Sequence, residues 1–315
     1  MPTLLVIGGS GLLGSRLVEA ARKDYRVIGT HQSSPPPIEG VEWLVLHKEN
    51  FYAAGLAVER IAPDIIIDTA AFHDVDACEA DRERAWRVNA DATRSLAEAA
   101  HEQGSRYVFI STDFVFSGAK GSYAETDVPH PVNRYGASKL AGEWAVLHAD
   151  ERNQVIRPSV VFGWNPSRLN FATWVLTSLR DGKSIQIVRD WWGSPTWADA
   201  LAQGILALAR LPDGGIFHLA GPDRMSRYDF ALQLADAFEL DPEDTLIRPV
   251  SAAQFIGKAR AKAPRSKARR PRDSSLAIDK AAEHGVILID YAESLYRMHK
   301  QQDLKDFKVP TRYKS

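Results

Sequence analysis

Tyr135 and Lys139 stand four residues apart in the run Asn133-Arg-Tyr-Gly-Ala-Ser-Lys-Leu-Ala-Gly-Glu143. In a helix this spacing puts the phenol and the ammonium on one face, one turn apart. An ammonium held that close favours the phenolate and is expected to lower the tyrosine pKa from its usual value of about 10. A phenol tuned in this way can give or take a proton at neutral pH, as carbonyl–alcohol redox chemistry requires. The same spacing is common in ordinary amphipathic helices, so its meaning depends on what else the chain brings to the site.

A second candidate site lies at the start of the chain. Thr3-Leu-Leu-Val-Ile7 is an apolar run suited to a buried parallel strand, and Gly8-Gly-Ser-Gly11-Leu-Leu-Gly14 follows at once. Leu12, Leu13, Leu17, Val18 and Ala21 then recur at helical spacing. Strand, glycine turn and helix form the setting in which a glycine-rich loop holds a dinucleotide. Gly8 permits the tight turn, Gly11 lets backbone approach a diphosphate, and Gly14 allows close helix–strand packing; Ser10, Leu12 and Leu13 complete the loop. The helix start presents free N–H groups to the anion. After the second strand, Tyr25–Thr30, the acid that would bind an adenosine 2′-hydroxyl is missing, and His31-Gln-Ser-Ser34 stands there instead. A neutral, hydroxyl-rich loop with a histidine suits a 2′-phosphate, so NADP(H) is favoured over NAD(H). Ala70 and Ala71, in Asp68-Thr-Ala-Ala71, are small enough for a loop that passes close to a cofactor.

The elements that must position these groups follow in order. Strands are expected at 41–46, 65–69 and 107–111, with helices around 52–60 and from Arg84 to Gln103, the latter stopped by Gly104. The strand at 107–111 delivers Thr112 and Asp113 to its carboxyl end, where ligands lie in open α/β sheets. A hydroxyl at that place can hydrogen-bond a substrate carbonyl. A strand from Val155, a helix over 170–179, a strand over 185–188, a helix over 198–211 and a strand over 215–219 follow. Helices are expected at 227–238, 276–284 and 292–301. Trp191, Trp192 and Trp197 flank a Gly-Ser-Pro-Thr turn, where their rings could stack on a base or pack in a core.

Composition narrows the function classes. The chain has 315 residues, 45% of them hydrophobic and 25% charged, with a net charge of −1, so a general affinity for nucleic acid or anionic membrane is not expected. One cysteine, Cys78, excludes an intrachain disulfide and a cysteine-based zinc site. His73, Asp74, Asp76, Cys78 and Glu79 cluster, but their spacing matches no zinc pattern and reads as carboxylates capping a helix; no metal is expected. The start lacks the basic and long apolar regions of a signal peptide, and no apolar run reaches the ~18 residues of a membrane span. A soluble, cytoplasmic protein is the expectation.

Taken together, Gly8-x-x-Gly-x-x-Gly14, Asn89, Ser111-Thr-Asp113, Tyr135-x-x-x-Lys139 and Arg157-Pro158-x-x-x-x-Gly163 resemble an extended short-chain dehydrogenase/reductase. More narrowly, Ser111-Thr-Asp-Phe-Val-Phe116, Tyr135-Gly-Ala-Ser-Lys-Leu-Ala-Gly-Glu143, Gly193-Ser-Pro-Thr196 and Arg270-Pro-Arg-Asp-Ser-Ser-Leu276 resemble dTDP-4-dehydrorhamnose reductases. The resemblance spans residues 1 to about 300. It implies an α/β fold, a Rossmann-type doubly wound parallel sheet with a smaller, interleaved α/β substrate-binding lobe. The dinucleotide domain would occupy 1–163, completed by a helix and strand within 198–220; the lobe would fall mainly in 164–301, and 302–315 would be a polar tail. It further implies NADP(H)-dependent reduction of a nucleotide-linked 4-keto-6-deoxy sugar, with Thr112, Tyr135 and Lys139 catalytic. Asn89 would have a structural or relay role. Asp113, Phe114, Asn170 and Trp192 become candidate substrate contacts, and a homodimer is the expected assembly.

Several residues depart from the family pattern. Phe114 replaces a usual tyrosine, Val160 a usual tryptophan, and His47-Lys-Glu49 stands where an aspartate commonly contacts adenine. The related 4,6-dehydratases carry Thr-Asp-Glu, whereas Phe114 follows Thr112-Asp113 here, so dehydration is not expected. A nucleotide-sugar epimerase and a non-catalytic NADP-binding subunit resembling that of methionine adenosyltransferase remain as rivals. Gly257–Arg272 carries eight Lys or Arg residues and reads as a solvated loop or as a flap over an anionic substrate.

Overall fold

The computed structural model describes residues 1–165, 168–240, 246–256 and 268–301. Most of the basic segment, 257–267, and the tail, 302–315, lie outside the described residues. In chain order the strands are β1 (Thr3–Ile7), β2 (Arg26–His31), β3 (Glu42–Val45), β4 (Ile65–Asp68), β5 (Arg106–Ile110) and β6 (Gln154–Arg157). They continue with β7 (Val161–Phe162), β8 (Ile185–Val188), β9 (Trp192–Gly193), β10 (Thr196–Trp197), β11 (Gly215–His218), β12 (Met225–Ser226) and β13 (Ile247–Val250).

Seven strands form one parallel sheet in the order β11-β6-β5-β4-β1-β2-β3. The order reverses between β1 and β4, which opens a crevice at their carboxyl ends. The sequence explains why the sheet is covered on both sides. In β1, Leu4 and Val6 point into one apolar cluster while Leu5 and Ile7 point into another. Helices α1 (Leu12–Ala21) and α8 (Ala198–Ala209) cover the first face; α2 (Phe51–Ile61), α5 (Ala92–Glu102) and α6 (Arg134–Ala149) cover the second. Strands apolar on both faces belong between two helical layers.

The expected 84–103 helix is a composite: α4 (Arg82–Trp86), a wider π turn at Arg87–Asp91, then α5. The wide turn carries Asn89, which is fully buried. Downstream of β6, α7 (Phe171–Arg180) and α9 (Arg227–Ala237) pack together beside the small β8–β13 pair. The expected helix over 276–284 is shorter, Asp279–Glu283, because Leu276 bridges to Tyr123 and the Ala277 N–H donates to the Tyr123 carbonyl. A helix at Tyr291–Gln301 follows. Among the described residues no helix is long and apolar enough to cross a membrane.

One buried polar network ties these layers together. The Arg157 guanidinium on β6 donates to both Glu143 carboxylate oxygens on α6, at 2.9 and 2.6 Å, and Ser111 Oγ donates to the same carboxylate. Arg157 Nη1 also lies 3.3 Å from Nε2 of His218, on β11. His218 Nδ1 lies 2.9 Å from the Tyr123 carbonyl, which fixes the proton on Nδ1 and leaves Nε2 as acceptor for Arg157. Burial and the neighbouring guanidinium push its pKa from 6.5 down to about 3.

That depression sets a pH dependence. Below pH 6.5 the unfolded chain binds a proton at His218 that the folded protein refuses until about pH 3, so stability falls as pH falls through that window. The unfolding free energy of wild type should drop up to about 1.4 kcal/mol per pH unit more steeply than that of His218→Gln. Denaturant titrations from pH 7 to pH 4 measure this difference, and parallel slopes would refute it.

Candidate active site

The glycine loop is shaped by close approaches that a side chain would block. Gly8 has φ +81°, and a Cβ there would meet Thr69 Oγ1 at 2.8 Å. A Cβ at Gly14 would lie 2.2 Å from the Gly8 carbonyl, so α1 can start against the loop only with glycine. The loop is closed by Gly11 N–H to Gly8 O at 2.9 Å and by Gly8 N–H to Thr30 Oγ1 at 2.9 Å. Gly11 caps α1 without any side-chain hydrogen bond, so the first N–H groups of α1 face the crevice unclaimed by a side chain. Ser10 and Leu12 are partly buried in this turn, whereas the Leu13 side chain belongs to the core and leaves only its backbone for a ligand.

His31 closes β2 beside the loop and is 8% exposed, with its ring edge-on to Trp43 at 6.3 Å. Nδ1 of His31 and Nε1 of Trp43 are buried without a hydrogen-bond partner. The Trp43 ring also covers Gly29 and Gly9. Glycine cradle, open helix start and two orphaned nitrogens fit the adenosine half of a dinucleotide. Below this, Lys48 is buried; its Nζ donates to Asp68 Oδ2, to Thr93 Oγ1 at 2.9 Å and to the Ala70 carbonyl at 3.1 Å. Asp68 Oδ1 accepts from Ala70 N–H at 3.1 Å. The short Asp68–Ala71 loop is therefore held from its carboxylate and its carbonyl. The amide of Asn89 clamps the next residue, accepting from Phe72 N–H at 2.9 Å and donating to Phe72 O at 3.0 Å. Its Nδ2 also reaches Ser138 Oγ at 3.1 Å, joining the loop to α6.

Tyr135 lies in the first turn of α6, which Asn133 caps by accepting from Gly136 N–H at 2.8 Å. Gly136 lets the helix meet the Phe114 carbonyl, where a Cβ would come within 2.1 Å. Tyr135 consequently lies near Thr112, whose hydroxyl opposes the effect of burial on the phenol, and its ring stands edge-on to Phe114 at 6.1 Å. The electrostatics differ from the expectation drawn from spacing. Burial drives the Tyr135 pKa up rather than down, and the Thr112 hydroxyl opposes this only in part. Lys139 does not touch the phenol: its Nζ donates to the Ile110 carbonyl at 2.7 Å and sits 3.8 Å from the Phe109 ring centroid. Desolvation, aided by the charge of Lys48, lowers the Lys139 pKa to about 7. The pair is a neutral, proton-bearing phenol beside an ammonium that gives up its proton near neutrality.

Phe114 also borders a cavity of ≈ 290 Å³. Phe171, Trp174, Trp191 and Phe255 wall it, and among the described residues Arg227 and Arg270 supply its cations. Trp192 lines it too, with the Arg224 guanidinium 4.1 Å over its ring, and Arg224 in turn pairs with Asp273. Trp197 instead is buried in the core.

Two of the expected substrate contacts are otherwise engaged. Asp113 accepts from Ser274 Oγ at 2.5 Å, Ser159 Oγ at 2.9 Å and Thr112 Oγ1 at 3.1 Å, and knits three segments together. Asn170 forms a reciprocal cap with Thr173 at the start of α7 and donates to Gly163 O at 2.6 Å, leaving Phe171 to face the cavity. Sequence reasoning passed over Arg227, Phe171, Trp174 and Trp43, since nothing in local spacing marks a residue that reaches the site from a distant element. Among the described residues no cluster of His, Cys, Asp or Glu could hold a metal ion.

Comparison with known proteins shows the family and the fold. A dTDP-4-dehydrorhamnose reductase from Sinorhizobium fredii is 32% identical over 312 residues, covering 94% of this chain and 96% of that protein. The structure of a dTDP-4-dehydrorhamnose reductase from Bacillus anthracis in complex with NADP superposes with a TM-score of 0.82 at 27% identity, covering 96% of this chain and 98% of the other. The methionine adenosyltransferase 2 subunit beta of Xenopus tropicalis is 31% identical over 255 residues, covering 78% of this chain and 75% of that one. The family model for the RmlD substrate binding domain matches residues 2–304, and the chain belongs to that family.

Proposed function

We propose that the protein is an NADP(H)-dependent oxidoreductase that reduces the ketone of a nucleotide-linked 4-keto-6-deoxy sugar, as its dTDP-4-dehydrorhamnose reductase relatives do. The observation that carries this reading is the meeting of Tyr135 and Thr112 at the carboxyl edge of the sheet, next to a cavity walled by aromatic rings and two arginines. Bound NADPH would supply the hydride that the carbonyl carbon receives.

The remaining steps belong to the chain. Thr112 Oγ1 and the Tyr135 phenol orient the carbonyl oxygen, and the phenol gives its proton to that oxygen as negative charge develops there. A raised pKa keeps the phenol protonated until this moment, which suits reduction. Lys139, anchored on Ile110 O, carries a positive charge one turn from Tyr135 below about pH 7, and in that state it lowers the cost of leaving a phenolate behind. Gly8, Ser10, Gly11, Leu12, Leu13 and Gly14 would hold the diphosphate through backbone N–H groups, with Ala70 and Ala71 beside it. His31 Nδ1 is the natural donor to a 2′-phosphate, which supports NADP(H) over NAD(H). In the cavity, Trp191 and Trp192 suit a base and the arginines suit a diphosphate. Phe114 presents no hydroxyl toward the sugar, so the ring adjoining Tyr135 reads shape rather than polarity.

NADPH oxidation with a panel of nucleotide-linked 4-keto sugars tests the reading. Tyr135→Phe should lower kcat by about 10²–10⁴-fold while leaving NADPH binding unchanged. Tight NADPH binding without turnover of any of them would instead favour a non-catalytic regulatory subunit. In wild type, kcat/KM for reduction should fall as pH rises through about 7, because Lys139 loses its proton there. A flat profile from pH 6 to pH 9 would remove Lys139 from the mechanism. His31→Ala should cut the ratio of NADPH to NADH efficiency by about tenfold or more, the worth of one charge-assisted hydrogen bond; an unchanged ratio would place cofactor selection elsewhere.

A further inference from the structure

The carboxylates clustered on α3 (Val75–Ala80), which suit no metal, have a definite task in the fold. Asp76 Oδ1 accepts from Arg270 Nη1 at 2.6 Å and from Ala268 N–H at 2.9 Å, while Arg270 Nη1 donates to Ala268 O at 2.9 Å. One carboxylate oxygen thus fixes both the backbone at 268–270 and the guanidinium it carries. That guanidinium lies 6.0 Å over the Trp191 ring and lines the cavity. The same stretch is held from a second point, since Asn133 Nδ2 donates to Arg269 O at 2.8 Å. Asn133 is the cap of α6, two residues before Tyr135, and Glu79 on α3 accepts from Arg134 N–H at 2.8 Å. The sheet side of the crevice therefore grips one stretch of the opposite wall at its arginine and at the start of the catalytic helix.

We propose that Asp76 is a positioning residue for substrate binding: through Arg270 it holds the cationic rim of the cavity against the catalytic helix, ready for the anionic part of the nucleotide sugar. A guanidinium left to itself samples many rotamers, and a ligand must then bear the entropy of ordering it. Asp76 removes that cost before the ligand arrives. Asp76 Oδ1 and Ala268 O both take Nη1, so among the described residues Nε and Nη2 are left for a second anion. Asp76 reaches the cavity through Arg270, so its effect falls on sugar-nucleotide affinity. The inference rests on the cavity being the nucleotide-sugar site.

The test compares wild type, Asp76→Asn, Asp76→Glu, Arg270→Met and the double variant Asp76→Asn/Arg270→Met. Calorimetric titration with dTDP and with UDP reads binding without turnover, and steady-state kinetics read KM against kcat. Asp76→Asn should weaken nucleoside diphosphate binding and raise the sugar-nucleotide KM by about two- to fivefold, the range of a partly exposed charged contact. Its kcat and NADPH affinity should be unchanged and its thermal midpoint should stay within about 3 °C of wild type. Asp76→Glu should recover part of the affinity, and Asp76→Asn should add nothing in the Arg270→Met background. Additive losses in the double variant, an unchanged KM and diphosphate affinity, or a wild type that binds neither diphosphate would overturn the proposal. The two readings fail separately: diphosphate binding that depends on Asp76 but no ketone reduction would sink the proposed reaction alone, while ketone reduction indifferent to Asp76 would sink this inference alone.

Discussion

The ion pair between Glu143 and Arg157 holds the site in register. Tyr135 and Glu143 share α6, whereas Thr112 leaves β5 and Arg157 ends β6. A helix lying on a sheet can roll or slide, and either motion would separate the phenol from the threonine hydroxyl. Two parallel hydrogen bonds from a buried guanidinium, with Ser111 on the same carboxylate, leave α6 one position. Both charges are 1% exposed, so neither can exchange its partner for water. Removing one of them would leave the other stranded, which costs far more than the intact pair gains. His218 extends the constraint to the edge strand β11, and through Tyr123 and Ala277 to the segment that returns from the far side of the crevice.

The same burial that secures the helix also sets the chemistry. Lys139 is enclosed between the Ile110 carbonyl and the face of Phe109, where a ring supplies little compensation for lost water. Its ammonium is therefore easily discharged, while the neighbouring phenol is held neutral. Spacing alone suggested that the lysine would draw the proton off the tyrosine. In the folded protein desolvation outweighs that pull for both groups, in opposite directions. The outcome suits a proton donor better than a resting phenolate would.

The two walls of the crevice are joined by polar contacts at a few points. Asp113 gathers Ser159 and Ser274, Asp76 takes Arg270, and Asn133 takes the Arg269 carbonyl. Each pairs a residue of the first half of the chain with one far downstream, and each lies within a few residues of Thr112, Tyr135 or the glycine loop's neighbour at Ala70–Ala71. Both walls are thereby referred to the same sheet edge. Of the two departures, Phe114 borders the cavity, whereas Val160 packs against the core beside Gly193. Val160 adopts φ +44°, a costly conformation for a β-branched residue, and its Cγ2 fills the space a side chain at Gly193 would need.

The sequence by itself determined the sheet and the glycine loop, and it singled out Thr112, Tyr135 and Lys139 as the groups able to do the proposed chemistry. Strand periodicity, Gly8, Gly11 and Gly14, and the four-residue step from Tyr135 to Lys139 are local patterns, and local backbone geometry makes them legible. It also marked Asn89 and His31 as residues of interest without revealing what they touch. Only the tertiary structure decided which side chains were free to act. Asp113 and Asn170 looked like substrate contacts but spend their hydrogen bonds on Ser159, Ser274, Thr173 and Gly163, while Arg227, Trp174 and Trp43 arrive from distant elements. The acidic cluster around Asp76 acquired its meaning from Arg270, 194 residues away. Hydrogen-bond partners and burial come from contacts between remote segments, so residue types at short spacing can name the chemistry available but cannot say which groups the fold will leave unsatisfied.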